Sequence, residues 1–91
     1  MNQEHEEGLI DRYLSKINSL CVKAIEGEEV KPQVEAVVKE ACEDFATVVT
    51  SPANANLRTF RGRLKIKLES ASQTEESDIL KHAISCCPEK I

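Results

Sequence analysis

Nine apolar residues near the amino end recur at spacings of three and four: Leu9, Ile10, Tyr13, Leu14, Ile17, Leu20, Cys21, Ala24 and Ile25. That spacing places them along one side of an α-helix, whereas a strand would show alternation. A helix with one apolar side must bury it against other elements, so this stripe already demands a packed helical layer. Glu4, Glu6 and Glu7 precede it, where the positive end of the helix dipole favours acids. Gly27 supplies the stop. A first helix is expected over 4–26.

Three further segments carry the same period. Pro32 is tolerated in a first helical turn, where its missing N–H has no intrahelical partner. Val34, Val37, Val38, Ala41, Cys42, Phe45, Val48 and Val49 then form a stripe, which predicts a helix over 32–49. Ser51-Pro52 reads as a cap and first-turn proline before Ala53, Leu57, Phe60, Leu64, Leu68 and Ala71, giving 52–71. Thr74 is the expected cap of a last helix over 75–87. Glu75 and Glu76 lie in its first turn, Ile79, Leu80, Ala83, Ile84 and Cys87 form its apolar side, and Pro88 ends it. The expected fold is all-α: a compact bundle of four short amphipathic helices, one domain over 1–91, with residues 1–6 a mobile amino terminus.

One segment supports a rival. Phe60, Gly62, Leu64, Ile66 and Leu68 alternate with Arg61, Arg63, Lys65, Lys67 and Glu69, the pattern of a half-buried strand. A lone strand leaves backbone groups unpaired, so this alternative needs a hairpin of 45–50 with 58–68 and an α+β fold.

Ninety-one residues suffice for one core and not two. With no Trp, one Tyr and two Phe, that core is expected to be aliphatic. Each buried Leu, Ile or Val contributes roughly 1.5–3 kcal/mol, most of it offset by chain entropy. The thin surplus makes a homodimer a natural way to bury more surface. No stretch approaches the roughly 18–20 apolar residues of a membrane span, and the acidic start does not match a secretory signal. A cytoplasmic location is therefore expected. The net charge of −4 gives no general pull toward nucleic acid. Cys21, Cys42, Cys86 and Cys87 fall inside apolar stripes, which predicts reduced, buried thiols. Cys87 is fifth from the end, so the C-a-a-X prenylation pattern does not fit.

Chemistry is concentrated in one stretch. Arg58, Arg61, Arg63, Lys65 and Lys67 stand within ten residues without an acid. On a helix, Arg58, Arg61 and Lys65 share one flank of the apolar stripe, and Arg63 and Lys67 the other. Guanidinium forks suit carboxylate and phosphate oxygens, so these five residues are the expected partner-binding site, facing an acidic protein surface. The plainer reading is a solvated face answering Glu35, Glu40, Glu43 and Asp44 on neighbouring helices. A nucleic-acid reading places Asn54, Asn56, Arg58 and Arg61 at the start of the second helix of a helix-turn-helix. Against it stand the acidic net charge and the turn Thr50-Ser51-Pro52, which lacks the glycine often found there.

His82 and Cys86 are four apart, on one side of a helix, and Cys21 and Cys42 could complete a zinc-stabilised bundle. No C-x-x-C pair accompanies them, and the helix end explains a histidine at 82 through the dipole alone. The leading expectation includes no metal and no cofactor. No paired carboxylate or glycine-rich phosphate loop accompanies Asp11, Asp44 or Asp78, and catalysis is not expected. What remains is a non-enzymatic interaction module (adaptor, chaperone or small regulatory inhibitor). Its third helix is the contacting element, with Ile66, Val49 and Ile10 as the candidate apolar patch.

Overall fold

The computed structural model describes residues 2–47 and 53–89; the side chains of residues 2–7 and of residue 53 lie outside the description. It contains four helices, α1 (Asn2–Ile25), α2 (Lys31–Thr47), α3 (Ala53–Ser70) and α4 (Thr74–Cys86). Among the described residues no strand forms. Residues 58–68 lie wholly inside α3, so the hairpin alternative is set aside. The reason is packing: Leu57, Phe60 and Leu64 all become fully buried on one helical face, which a strand from the same residues could not arrange.

Local chemistry accounts for the ends. After α1 the Glu28 N–H donates to the Lys23 carbonyl at 3.0 Å and the Gly27 N–H to the Ala24 carbonyl at 3.0 Å. Those two bonds form a Schellman motif, and Gly27 adopts the positive φ of 101° that the motif requires. Replacing Gly27 by alanine is expected to cost about 1 kcal/mol or more, read as a lower urea midpoint, because a Cβ strains that conformation. At the start of α2 the Lys31 N–H donates to the Glu29 carboxylate at 3.3 Å, and Pro32 sits in the first turn as expected.

The cap of α4 differs from the sequence reading. Gln73 holds the N-cap position without a side-chain hydrogen bond, and Thr74 is already the first helical residue. The Ser77 N–H instead donates to the Gln73 carbonyl at 3.0 Å. Glu75 and Glu76 occupy the first turn, where the dipole favours them without a capping hydroxyl. The Ser51-Pro52 cap, Val48, Val49 and the 50–52 turn lie outside the described residues.

Each helix packs against the other three, in a body of 39 × 22 × 18 Å. The core draws Ile10, Leu14, Ile17, Leu20 and Cys21 from α1, and Val34, Val38 and Ala41 from α2. Leu57 and Leu64 come from α3, and Ile79, Leu80 and Ala83 from α4. It is not purely aliphatic. Tyr13, Phe45 and Phe60 meet at its centre, with Tyr13–Phe45 centroids 6.2 Å apart and Phe45–Phe60 centroids 5.8 Å apart, both edge-on. Three scattered aromatic residues thus converge where α1, α2 and α3 touch, and edge-to-face pairs of this kind add about 0.5–1.5 kcal/mol beyond area.

Gly62 lies in the interior of α3, and a Cβ added there meets nothing within 4 Å. Gly62→Ala is therefore expected to stabilise the protein by about 0.5–1 kcal/mol, seen as a higher melting temperature.

Candidate functional site

The five cations of α3 divide around the helix as their spacing requires. Arg63 turns toward α1, where its guanidinium donates to Asp11 Oδ1 at 2.8 Å. Lys67 stands one turn further along the same flank. Arg61 is half-buried and close enough to the Cys87 thiol to oppose the rise in that thiol's pKa. Arg58 and Lys65 are exposed. Among the described residues, Arg63 is the one member of the five in an ion pair.

Three of the four acids named as their neutralisers on α2 are engaged elsewhere. Glu40 accepts from Lys16 Nζ of α1 at 3.1 Å, and Asp44 accepts the hydroxyl of Tyr13. Glu35 lies 3.7 Å from His82 Nε2 of α4. Of the face in the plain reading, Arg63 is answered by an acid on a neighbouring helix, Asp11 of α1, while Glu35, Glu40 and Asp44 of α2 turn to α1 and α4. The physical cause is rotation about the α2 axis, since burying Val34, Val38, Ala41 and Phe45 turns Glu35, Glu40 and Asp44 to the flanks.

A groove of about 580 Å³ runs between α1 and α3, lined by Asp11, Leu14, Ser15, Asn18, Arg63, Ile66 and Lys67. Ile66 is 66% exposed, the most exposed large apolar side chain described. Val22, 49% exposed, follows Asn18 by one turn on the same row of α1. The candidate patch of Ile66, Val49 and Ile10 does not form. Ile10 is 4% exposed and belongs to the core, and Val49 lies outside the described residues.

On the other flank, Lys65 and Lys81 border a cleft of about 390 Å³ floored by Leu68 and Ile84. The helix-turn-helix reading loses one reader, because Asn56 is 6% exposed and packed inside the bundle. Asn54 remains exposed.

All four cysteines are free thiols. Burial pushes the Cys21 thiol up to about 11, with the Glu76 carboxylate adding to the rise and Lys67 opposing it. Burial raises the Cys87 thiol likewise, to about 11. The zinc quartet of Cys21, Cys42, His82 and Cys86 is not assembled. Cys21 faces Glu76 and Lys67, on a different side from the cleft that Cys42 and Cys86 share. The group that does assemble is Glu35, His82 and Cys86, whose ligand atoms all lie within 4.8 Å of one another. Its α4 half is legible as the i, i+4 pair. Glu35, 47 positions before His82 in the chain, has no sequence signal, because only the docking of α2 on α4 brings it there.

As a nucleophile, Cys86 is poorly set. Burial first, then the Glu35 carboxylate, raise its thiol above the ordinary value, with Ser85 opposing. Activation for attack needs the reverse.

Comparison with protein-family models, with curated proteins and with solved structures finds no match. What fold and surface define is the class alone: a four-helix all-α protein, none of whose described helices is long and apolar enough to cross a membrane.

Proposed function

We propose that this chain is a non-enzymatic interaction module that binds an acidic, amphipathic segment of a protein partner along the outer face of α3. The observation that carries the reading is Ile66, two-thirds exposed on the side of α3 away from the core, with cations on both flanks. Arg63 and Lys67 lie toward α1 and Lys65 toward α4, with exposed Arg58 two turns before Lys65 on the same row of the helix. An apolar anchor between positive rails suits a helix that presents one apolar residue between acids. Arg61, drawn toward Cys87, contributes to the local field more than to direct contact. The rails act chiefly on association rate, and the desolvated anchor on residence time.

The module acts as an adaptor, chaperone or regulatory inhibitor, and a homodimer through the same face is the competing assembly. The test is affinity capture from native lysate with the wild-type chain and two variants, Ile66→Asp and the pair Arg63→Glu/Lys67→Glu. Ile66→Asp is at an exposed position and should change folding by only about 0.5 kcal/mol. The pair also removes the exposed Arg63–Asp11 ion pair and costs about 1 kcal/mol more. Both variants are expected to lose partners that the wild type retains, and added salt is expected to slow capture. An unchanged partner set in both variants overturns the reading. Retardation of duplex DNA in a mobility-shift assay, abolished by salt, would replace it with nucleic-acid binding. Light scattering reads the homodimer.

A further inference from the structure

A second site lies at the junction of α2 and α4, away from the α3 face and independent of the reading above. His82 and Cys86 stand one turn apart on α4, so both side chains leave the helix in the same direction. Glu35, in the second turn of α2, meets them from across the interface. The three donor atoms lie within 4.8 Å of one another, and Glu35 Oε2 is 3.7 Å from His82 Nε2. Nε2 itself is buried and makes no hydrogen bond, although the histidine side chain as a whole is 28% exposed. A buried ring nitrogen of this kind leaves its polar atom unsatisfied, at a cost in free energy. Something placed between Nε2 and the carboxylate removes that cost.

We propose that Glu35, His82 and Cys86 form a zinc(II) site with one oxygen, one nitrogen and one sulfur ligand. The donor set suits the ion: imidazole, thiolate and carboxylate are its usual ligands. Zinc–ligand bonds of 2.0–2.3 Å in a tetrahedron with one sulfur separate the donors by about 3.3–3.6 Å. The glutamate–histidine edge, at 3.7 Å, is within a few tenths of an ångström of that length. The remaining edges, at most 4.8 Å, need about 1.3 Å of closure, within reach of side-chain rotation. Charge also matches, because a thiolate and a carboxylate neutralise the dication. On binding, Cys86 Sγ releases its proton to solvent, the proton of the His82 ring resides on Nδ1, and the Nε2 lone pair binds the metal.

The fourth position opens on a cleft of about 460 Å³ bordered by Val38, Lys39, Cys42 and Pro88. Cys42 shares that cleft but is not among the three clustered donors. Three protein ligands with one open position leave the fourth to water. The metal ties α2 to α4 across the chain, so it stabilises the folded bundle in proportion to its occupancy.

The experiment titrates zinc(II), and cobalt(II) as a spectroscopic probe, into the full chain kept reduced by a phosphine. One metal per chain is expected, with a thiolate-to-cobalt charge-transfer band and a melting temperature that rises with zinc. Cys86→Ser should abolish the band, and His82→Ala should weaken zinc binding by at least the about 100-fold that outer-shell changes reach. Glu35→Gln, at a surface position that leaves folding intact, should weaken it by about tenfold. Absence of the charge-transfer band in the wild type overturns the proposal. So does a band that survives Cys86→Ser, which moves the metal to other thiols. Equal zinc affinity of the wild type and Glu35→Gln overturns it as well, and that variant decides the matter even if the α4 substitutions unfold the chain.

Discussion

Phe45→Ala is expected to remove about 3–5 kcal/mol of stability, the range for truncating a fully buried phenylalanine. Phe45 is completely inaccessible and lies between the rings of Tyr13 and Phe60. Its removal opens a cavity where α1, α2 and α3 meet, and both neighbouring rings lose their edge contacts at once. A domain of this size has about 5–10 kcal/mol in total, so the variant should lose a large share of its stability and melt at a much lower temperature. Urea denaturation checks it: the midpoint should fall steeply with little change in slope. Phe45→Leu keeps most of the volume and should lose less than about 1.5 kcal/mol. A loss of under about 1 kcal/mol for Phe45→Ala would contradict the three-ring packing, since a void at that place cannot be that inexpensive.

The second large effect is alkaline. Cys21 is 3% exposed, and burial lifts its thiol from an ordinary value of 9.0 to about 11. The folded protein therefore holds a proton that the unfolded chain releases between those two values. Stability from this group is complete below pH 9 and is lost as pH rises toward 11. The difference corresponds to about 2–3 kcal/mol once both values are passed. Tyr13 acts in the same direction and later. Its hydroxyl is raised by burial, by donating to Asp44, and by the Asp44 and Glu40 charges, so it keeps its proton in the fold when the unfolded phenol ionises above pH 10. Urea midpoints should be flat from pH 7 to about 8.5 and fall from pH 9 upward. In Cys21→Ala the neutral-pH midpoint drops through lost packing, but the decline between pH 9 and 10 becomes shallower. The residual decline belongs to Cys87, whose thiol burial raises to the same value, and an unchanged alkaline slope in the variant would assign the whole decline to that group.

The α1–α2 contact combines both themes. Lys16 reaches Glu40 at 3.1 Å and lies 5.2 Å from the centre of the Tyr13 ring, above the hydroxyl's own link to Asp44. The ion pair itself is exposed and contributes little, about 0–1 kcal/mol. The Tyr13 hydroxyl matters more, because an otherwise buried ring brings a polar atom that must be paired.

Helix positions were legible from periodicity because each helix obtains its burial from its own apolar stripe. The expected spans 4–26, 32–49, 52–71 and 75–87 lie within a few residues of Asn2–Ile25, Lys31–Thr47, Ala53–Ser70 and Thr74–Cys86. Gly27 marked the end of α1 for a reason internal to the chain, since a positive φ is a local property. Thr74 misled because a capping hydroxyl is optional, and the backbone of Gln73 serves without one.

The division of the five cations into two flanks also followed from helical spacing alone. What each flank faces did not. Whether Glu35, Glu40 and Asp44 answer α3, α1 or α4 depends on how α2 is rotated about its axis, and many rotations share the same pattern of apolar spacing. Ile10 and Ile66 differ for a simpler reason. Ile10 lies on the apolar stripe of α1 and is 4% exposed, whereas Ile66 lies on the side of α3 opposite Leu57 and Leu64 and is 66% exposed, which spacing gives only once 58–68 is a helix. By itself, then, the sequence of this protein determined the helices at 4–26, 32–49 and 75–87 to within a few residues and one basic segment, all of which depend on residues within a few turns of each other. The choice of helix over strand for 58–68 came from packing. Only the tertiary structure decided the meeting of Tyr13, Phe45 and Phe60 and the approach of Glu35 to His82 and Cys86. Those contacts join residues far apart in the chain, and they are set by the joint packing of all four helices.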